Sequence, residues 1–329
     1  MPAPFRPRDG EDRMETRAIG QLQVLVAGLG CNNFGSRIDE DAARRVVAAA
    51  LDAGVNHFDT ADVYGGGHSE EFLGRALGSR RAEVVIATKF GMLQPPEGLT
   101  GGHPRWVGQA VEGSLGRLGT DHLDLYWLHA PDPKTPIGDT LEALHRLVDA
   151  GTVRELGCSN FSAAQLDDAA AAASSLGVRP FVTVQNEYSL LHREPEAAVL
   201  PACERLGMSL VPYVPLASGL LTGKYAPGEP PPPGTRLARW PQDRVGRLLS
   251  DERFATVERL DGFATAHGHT LPELALSWLA SNPLVSTVIA GATTPEQVRA
   301  NAAAPTAWLL SAAERAELDE LLGRPEQAA

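Results

Sequence analysis

Short apolar runs recur along this chain, and each gives way to a stretch whose apolar residues fall at helical spacing. The strand candidates are Val24–Leu29, His57–Asp59, Val84–Lys89, Leu123–His129, Val153–Ser159, Thr183–Glu187, Ser209–Tyr213 and Val285–Ile289. Between them the spacing predicts helices over Asp39–Ala53, Ser69–Leu77, Pro104–Leu118, Thr140–Ala150, Ala163–Ser175, Glu194–Leu206 and Leu271–Ala280. Pro295–Ala303 follows the last strand. Asp39 and Ser162 suit N-caps, and Gly54, Gly151 and Gly207 stand just past last turns. Eight strand–helix units without a break in composition predict an α/β chain closed into a (β/α)8 TIM barrel. A doubly wound sheet wants a Gly-x-Gly-x-x-Gly turn after its first strand, and Gly28-Leu29-Gly30-Cys31-Asn32-Asn33-Phe34-Gly35 lacks that spacing. Tyr225–Asp251, rich in Pro and Gly, forms a long loop after the seventh strand, a length that in compact domains goes with function or disorder. Ala312–Leu322 predicts an extra C-terminal helix packed across the barrel.

Composition narrows the partners more than the fold. With 43% hydrophobic and 21% charged residues, the 329-residue chain can build a large core, here assigned to a single domain over 14–329. Met1–Arg13, Pro-rich and charged without the apolar stretch of a secretory signal, is expected to be a flexible extension. A formal charge of -12 argues against nucleic acid and anionic membranes, so a phosphate-bearing ligand would need a local cluster of cations. No apolar run reaches the ~20 residues of a spanning helix. Cys31, Cys158 and Cys203 are odd in number and far apart, as expected of reduced thiols in the cytoplasm. A small molecule is the expected partner, for a monomer or weak homo-oligomer.

Chemistry enters where the apolar runs end. Asp59 follows Val55-Asn56-His57-Phe58, Lys89 ends Val84–Thr88, His129 ends Leu123–Leu128, and Tyr64 lies five residues past Asp59. In a parallel barrel the C-terminal rim of the strands is where active sites sit. A phenol is a sluggish acid at neutral pH, but a buried ammonium stabilises its phenolate. That ammonium needs a carboxylate to stay charged, and a histidine can orient a carbonyl or help move its proton. Taken singly, Asp59 suits a cap, Tyr64 a packing residue, Lys89 a snorkelling cation and His129 a core histidine. Together they make a proton relay. No carboxylate–histidine cluster has the spacing of a metal site, so no metal is expected. Gly157-Cys158-Ser159-Asn160-Phe161 lacks the last glycine of a nucleophile elbow, and no phosphate-binding loop motif is present.

Phe58-Asp59-Thr60-Ala61-x-x-Tyr64-Gly65, Ala87-Thr88-Lys89, Leu128-His129, Gly157–Phe161 and Tyr213-Val214-Pro215-Leu216 occur in an order that resembles the aldo-keto reductases, near the branch of the potassium-channel β subunits. The resemblance runs from about Met14 to the C-terminus. It implies NADP(H)-dependent reduction of aldehydes or ketones, with Asp59, Tyr64, Lys89 and His129 catalytic and Tyr64 the general acid. NAD(H) is the alternative cofactor. A sugar dehydrogenase, or a non-catalytic nicotinamide-binding regulatory subunit, is the alternative role. By the same resemblance Ser159, Asn160 and Gln185 hold the carboxamide, and Tyr213 stacks on the nicotinamide. Cys31, Val214, Pro215, Leu216, Ala217 and Ser218 fall on cofactor-contacting segments, with Lys224 and Arg236 as cationic clamps. Gly291, Thr293, Gln297 and Asn301 match the place of the adenosine 2′-phosphate, although no Lys or Arg stands among them and Ala300 replaces a polar family residue. Asn32, Asn33, Phe34, Phe90, Trp127 and Tyr188 are expected to wall the substrate pocket.

Overall fold

The structure, a computed structural model, describes residues 16–323; the expected N-terminal extension lies outside the described residues. An antiparallel hairpin, β1 (Thr16–Ile19) and β2 (Leu22–Leu25), precedes eight parallel strands. These are β3 (Ala27–Gly30), β4 (His57–Asp59), β5 (Val85–Phe90), β6 (Leu123–Leu128), β7 (Val153–Ser159), β8 (Thr183–Glu187), β9 (Ser209–Tyr213) and β10 (Val288–Gly291). They follow one another in chain order, with β10 pairing back onto β3. The ring closes between β9 and the segment before β10, where Leu210 N–H donates to Leu284 O at 2.7 Å and Ser286 N–H to Leu210 O at 3.1 Å.

Helices α1 (Glu40–Asp52), α2 (His68–Leu77), α3 (Pro104–Leu118), α4 (Ile137–Asp149), α5 (Ala163–Leu176) and α6 (Val199–Leu206) cover the outside. After β9 come α7 (Gln242–Leu248), α8 (Asp251–Ala266) and α9 (Leu271–Ala280); α10 (Pro295–Ala307) and α11 (Ala312–Leu321) follow β10. Asp39 and Ser162 cap α1 and α5, the latter through a full capping box with Gln165. Among the described residues no helix is long and apolar enough to cross a membrane.

Strand parity decides what each residue can do. Val85, Ala87, Leu125, Trp127, Val211 and Ile289 point into the barrel, while Ile86, Phe90, Tyr126 and Leu128 face the helices. Ile19, Leu22 and Val24 of the hairpin join the interior set and plug the N-terminal end. Burying each is worth roughly 1.5–3 kcal/mol, so the plug is a real part of the core. Continuing the inward parity to the C-terminal rim brings up Asp59, Lys89, His129, Ser159, Gln185 and Tyr213. Small residues make room below: a Cβ on Gly157 would lie 2.3 Å from Trp127 Cε3.

Two features differ from the expectation. The first predicted strand merges two elements, because the hairpin turn at Gly20-Gln21 folds Leu22–Leu25 back before the barrel begins. The long seventh loop is not structureless. It holds a 3-10 turn at Leu237–Arg239 and α7, and it ends where α8 begins, with Phe254, Val257, Leu260 and Phe263 buried at helical spacing.

Candidate active site

A cavity of about 550 Å³ opens at the C-terminal rim, lined by Asp59, Tyr64 and His129 at its floor. Lys89 is fully buried beneath it, and its Nζ donates to Asp59 Oδ1, to Thr60 O at 2.8 Å and to Tyr64 Oη at 3.4 Å. The second Asp59 oxygen accepts from Gln185 Nε2 at 2.9 Å. Burial works against the Lys89 charge, but Asp59 and Tyr64 more than offset it and hold its pKa above the usual value. Tyr64 shows the converse. Burial raises its pKa, and Lys89 opposes that shift without reversing it.

His129 sets an imidazole edge-on to the Tyr64 ring, centroids 5.8 Å apart. Burial first, then the Lys89 charge, lowers its pKa to about 3, so the ring is neutral at physiological pH. Its Nδ1 is buried without a partner.

The wall beside this floor is tightly self-bonded. Ser159 Oγ donates to Gln185 O at 2.8 Å, Asn160 Nδ2 to His129 O at 2.9 Å, and Tyr213 Oη to Asn160 Oδ1 at 2.8 Å. Asn160, Val214, Ala217 and Ser218 all adopt positive φ, and they are the only non-glycine residues among those described that do so. Val214, β-branched at φ 54°, is the costliest of them. Such strain persists where surrounding structure imposes it, and here it shapes the cavity wall.

The rim is cationic. Lys224 and Arg236 line it, joined by Arg37 from the loop after β3. Arg37 donates to Asn33 Oδ1 at 3.3 Å and to Gly234 O of the seventh loop at 2.6 Å, while Arg239 reaches back to Ser36 O at 2.7 Å. None of these four cations forms an ion pair with a described carboxylate. Burial lowers the pKa of Arg37, Lys224 and Arg236, and repulsion from neighbouring cations lowers each further.

The opposite end is neutral. Thr293 N–H and Oγ1 both donate to Gln297 Oε1, at 2.8 and 3.0 Å, and Gly291, Ala300 and Asn301 complete that part of the lining.

Of the residues expected to touch a cofactor, Cys31 and Ala217 are buried and do not line the cavity; the other fourteen do. Asn32 and Asn33 reach it, but four expected wall residues do not. Phe34 is fully buried in the outer core, Phe90 faces outward and stacks on Tyr126 at 4.7 Å, and Trp127 lies one layer deeper inside the barrel. Tyr188 packs on Trp278 and donates to Glu196 at 2.9 Å. Phe90 follows an inward residue and so points away, Trp127 is inward but too deep, and Phe34 and Tyr188 turn into the packing around the barrel. Met92, 55% exposed, lines the mouth in their place. Arg37 and Met92 had no motif to reveal them; only a loop cation in an acidic chain hinted at the first.

The sequence profile of the aldo/keto reductase family matches residues 27–322. A probable voltage-gated potassium channel subunit beta of Oryza sativa subsp. japonica is 37% identical over 298 residues, covering 88% of this chain and 90% of that protein. The uncharacterized oxidoreductase YrpG of Bacillus subtilis is 36% identical over 302 residues, covering 87% and 89%. Among solved structures, the glycerol dehydrogenase AKR11B4 from Gluconobacter oxydans superposes with a TM-score of 0.79 at 29% identity, over 95% of this chain and 98% of that one. The holo form of aldo-keto reductase AKR11C1 from Bacillus halodurans gives 0.76 at 33% identity, over 94% and 96%.

Proposed function

Given that the chain belongs to the aldo/keto reductase family, whose membership supports oxidoreductase chemistry, we propose that it reduces aldehydes or ketones to alcohols with NADP(H), NAD(H) being accepted as well. One observation carries the reading. A buried ammonium contacts both a carboxylate and a phenol at the floor of a cavity whose rim presents unpaired cations.

The unsatisfied groups suit a nicotinamide dinucleotide. Arg37, Lys224 and Arg236 need anionic partners and would hold its phosphates, while Tyr213 presents a phenol ring beside the floor. Three cavity-lining cations exceed what a pyrophosphate alone would neutralise, which favours the more heavily charged NADP(H). When bound, the reduced nicotinamide supplies the hydride. The chain's own residues manage the proton. Tyr64 donates it to the carbonyl oxygen, Lys89 stabilises the phenolate left behind, and Asp59 with Gln185 keeps Lys89 charged and in place. His129, neutral, orients the carbonyl by hydrogen bonding and takes no part as an acid.

Asn32 and Asn33 in the lining, together with the glycerol dehydrogenase likeness, favour hydroxylated substrates and a sugar- or polyol-oxidising direction as the second reading. The channel-subunit relatives favour a regulatory role. NADPH and NADH consumption over a panel of aldehydes, ketones, quinones and sugars, run in both directions, separates these. Cofactor binding with no turnover of any carbonyl or alcohol would overturn the enzymatic reading.

A further inference from the structure

Behind the acid, on the side away from the cavity, lies a second titratable group that the reaction does not touch. Asp62 is 1% exposed, and both of its carboxylate oxygens are buried without a hydrogen-bond partner. The neighbouring Val63 N–H approaches it and favours its charged form, without the geometry of a formed hydrogen bond. Facing Asp62 are Glu70 from α2, Arg117 from α3, Tyr126 from β6 and, farther off, Lys89 from β5. The one cation of the outer group is already taken. Arg117 Nε donates to Glu70 Oε2 at 2.6 Å, and Glu70 Oε1 accepts from Thr88 Oγ1 at 2.5 Å. Tyr126 Oη is also buried and unpartnered. A lone carboxylate here would sit beside a like charge with no donor committed to it, a costly state.

The same loop carries Tyr64. Asp62 N–H donates to Lys89 O at 3.1 Å and Tyr64 N–H to Ala61 O at 3.1 Å, after which Gly65, Gly66 and Gly67 all take positive φ. Arg117 packs against this turn, for a Cβ on Gly67 would lie 3.0 Å from Arg117 Cδ. Drawing Arg117 toward an ionised Asp62 would therefore press on the turn after Tyr64 and release Glu70, whose other partner, Thr88, precedes Lys89. The contact at stake is long already, with Lys89 Nζ 3.4 Å from Tyr64 Oη.

We propose that Asp62 is a positioning residue for Tyr64, whose carboxyl must stay protonated for the phenol to keep its place on Lys89. The proposal rests on Tyr64 being the acid, but its structural half does not need turnover. Burial first, then Glu70, raises the Asp62 pKa to about 7, so the change falls near neutral pH.

The test uses the full chain labelled at tyrosine Cζ, with Tyr64 assigned among five tyrosines by Tyr64→Phe. The Tyr64 resonance should shift with a midpoint near pH 7 in the wild type and stay fixed in Asp62→Asn. Glu70→Gln removes the like charge and frees Arg117, so it should move the midpoint down by about one pH unit. With cofactor saturating, wild-type turnover should fall about tenfold from pH 6 to pH 8, following the protonated fraction, and less than about twofold in Asp62→Asn. A Tyr64 shift near pH 7 that persists in Asp62→Asn, or its absence from the wild type, overturns the proposal. Should Asp62→Asn not fold, an unmoved midpoint in Glu70→Gln overturns it instead. Absence of turnover in every variant would strike the reductase reading alone, because the resonance still reports on Asp62.

Discussion

Asp59 and Arg236 line the same cavity under opposite electrostatic conditions. Asp59 is 2% exposed, and both of its oxygens are engaged, one by Lys89 and the other by Gln185. Arg236 faces the opening with Arg37 and Lys224 as neighbours and no carboxylate to answer it. The Asp59–Lys89 pair is thus satisfied by the protein alone, whereas the rim cations are answered only with an anion bound. Breaking the Lys89–Asp59 pair should accordingly cost chemistry and stability together, and rim substitutions should change affinity with the fold intact.

The sharpest break is at Tyr64. Phenylalanine keeps the ring and its edge contact with His129 but removes the only hydroxyl on Lys89. Turnover should fall by about 10³-fold or more, toward the upper end for loss of a general acid, with the cofactor dissociation constant changed less than about twofold. Parallel single-turnover and fluorescence titrations measure both. Near-normal reduction by Tyr64→Phe would remove the acid assigned to it.

Lys89→Met is expected to cost about 10²-fold in turnover and, unlike Tyr64→Phe, to cost stability as well. It leaves the buried Asp59 charge without its cation, a defect worth roughly 3–5 kcal/mol. Asp59→Asn added to Lys89→Met should recover much of the melting temperature and none of the activity. That contrast separates the structural share of the pair from its chemical share. A fully stable Lys89→Met protein would mean that the floor is not preassembled.

How far this division could be read without coordinates follows from periodicity. The barrel strands were legible as short apolar runs between helical stretches, and Asp59, Lys89 and His129 because each stands at or near the end of such a run. β10 begins three residues later than expected because Val285 joins β9 by a single bridge before the strand pairs with β3. The substrate wall was misread because Phe90 and Trp127 sit near catalytic positions in sequence but lie on the other face or one layer deeper. α8 was overlooked although Phe254, Val257 and Leu260 carry its period, since the Pro- and Gly-rich segment before it drew the boundary. Arg37 was invisible for a different reason: its role depends on Gly234, 197 residues away.

That long-range contact gives the clearest test of the rim. Arg37→Gln keeps hydrogen-bonding capacity toward Asn33 and Gly234 but removes the charge. Cofactor affinity should weaken about tenfold, in line with loss of one charge-assisted contact of a partly exposed group. The weakening should shrink as salt is raised, because screening removes what the mutation has already taken. Turnover at saturating cofactor should stay within about twofold. Equal affinities for wild type and Arg37→Gln at low salt would show that the rim, like the floor, needs no anion.

The smallest effect is expected where the cavity carries no charge. Thr293 N–H and Oγ1 are both spent on Gln297 Oε1, and the nearest α10 cation, Arg299, is exposed and leans on Glu296 at 3.8 Å. A 2′-phosphate arriving here meets neutral donors that must first let go of Gln297. Each such bond nets only about 0.5–1.5 kcal/mol, and breaking the existing pair offsets part of it. Gln297→Ala removes one side chain and frees two Thr293 donors at once, so NADPH affinity should change less than about threefold and NADH affinity should not change. Any larger preference for NADPH must then come from the cations across the cavity, acting through the total charge of the ligand. If Gln297→Ala instead erased a preference of thirtyfold or more, cofactor choice would reside in contacts at α10 and the rim would serve the pyrophosphate alone.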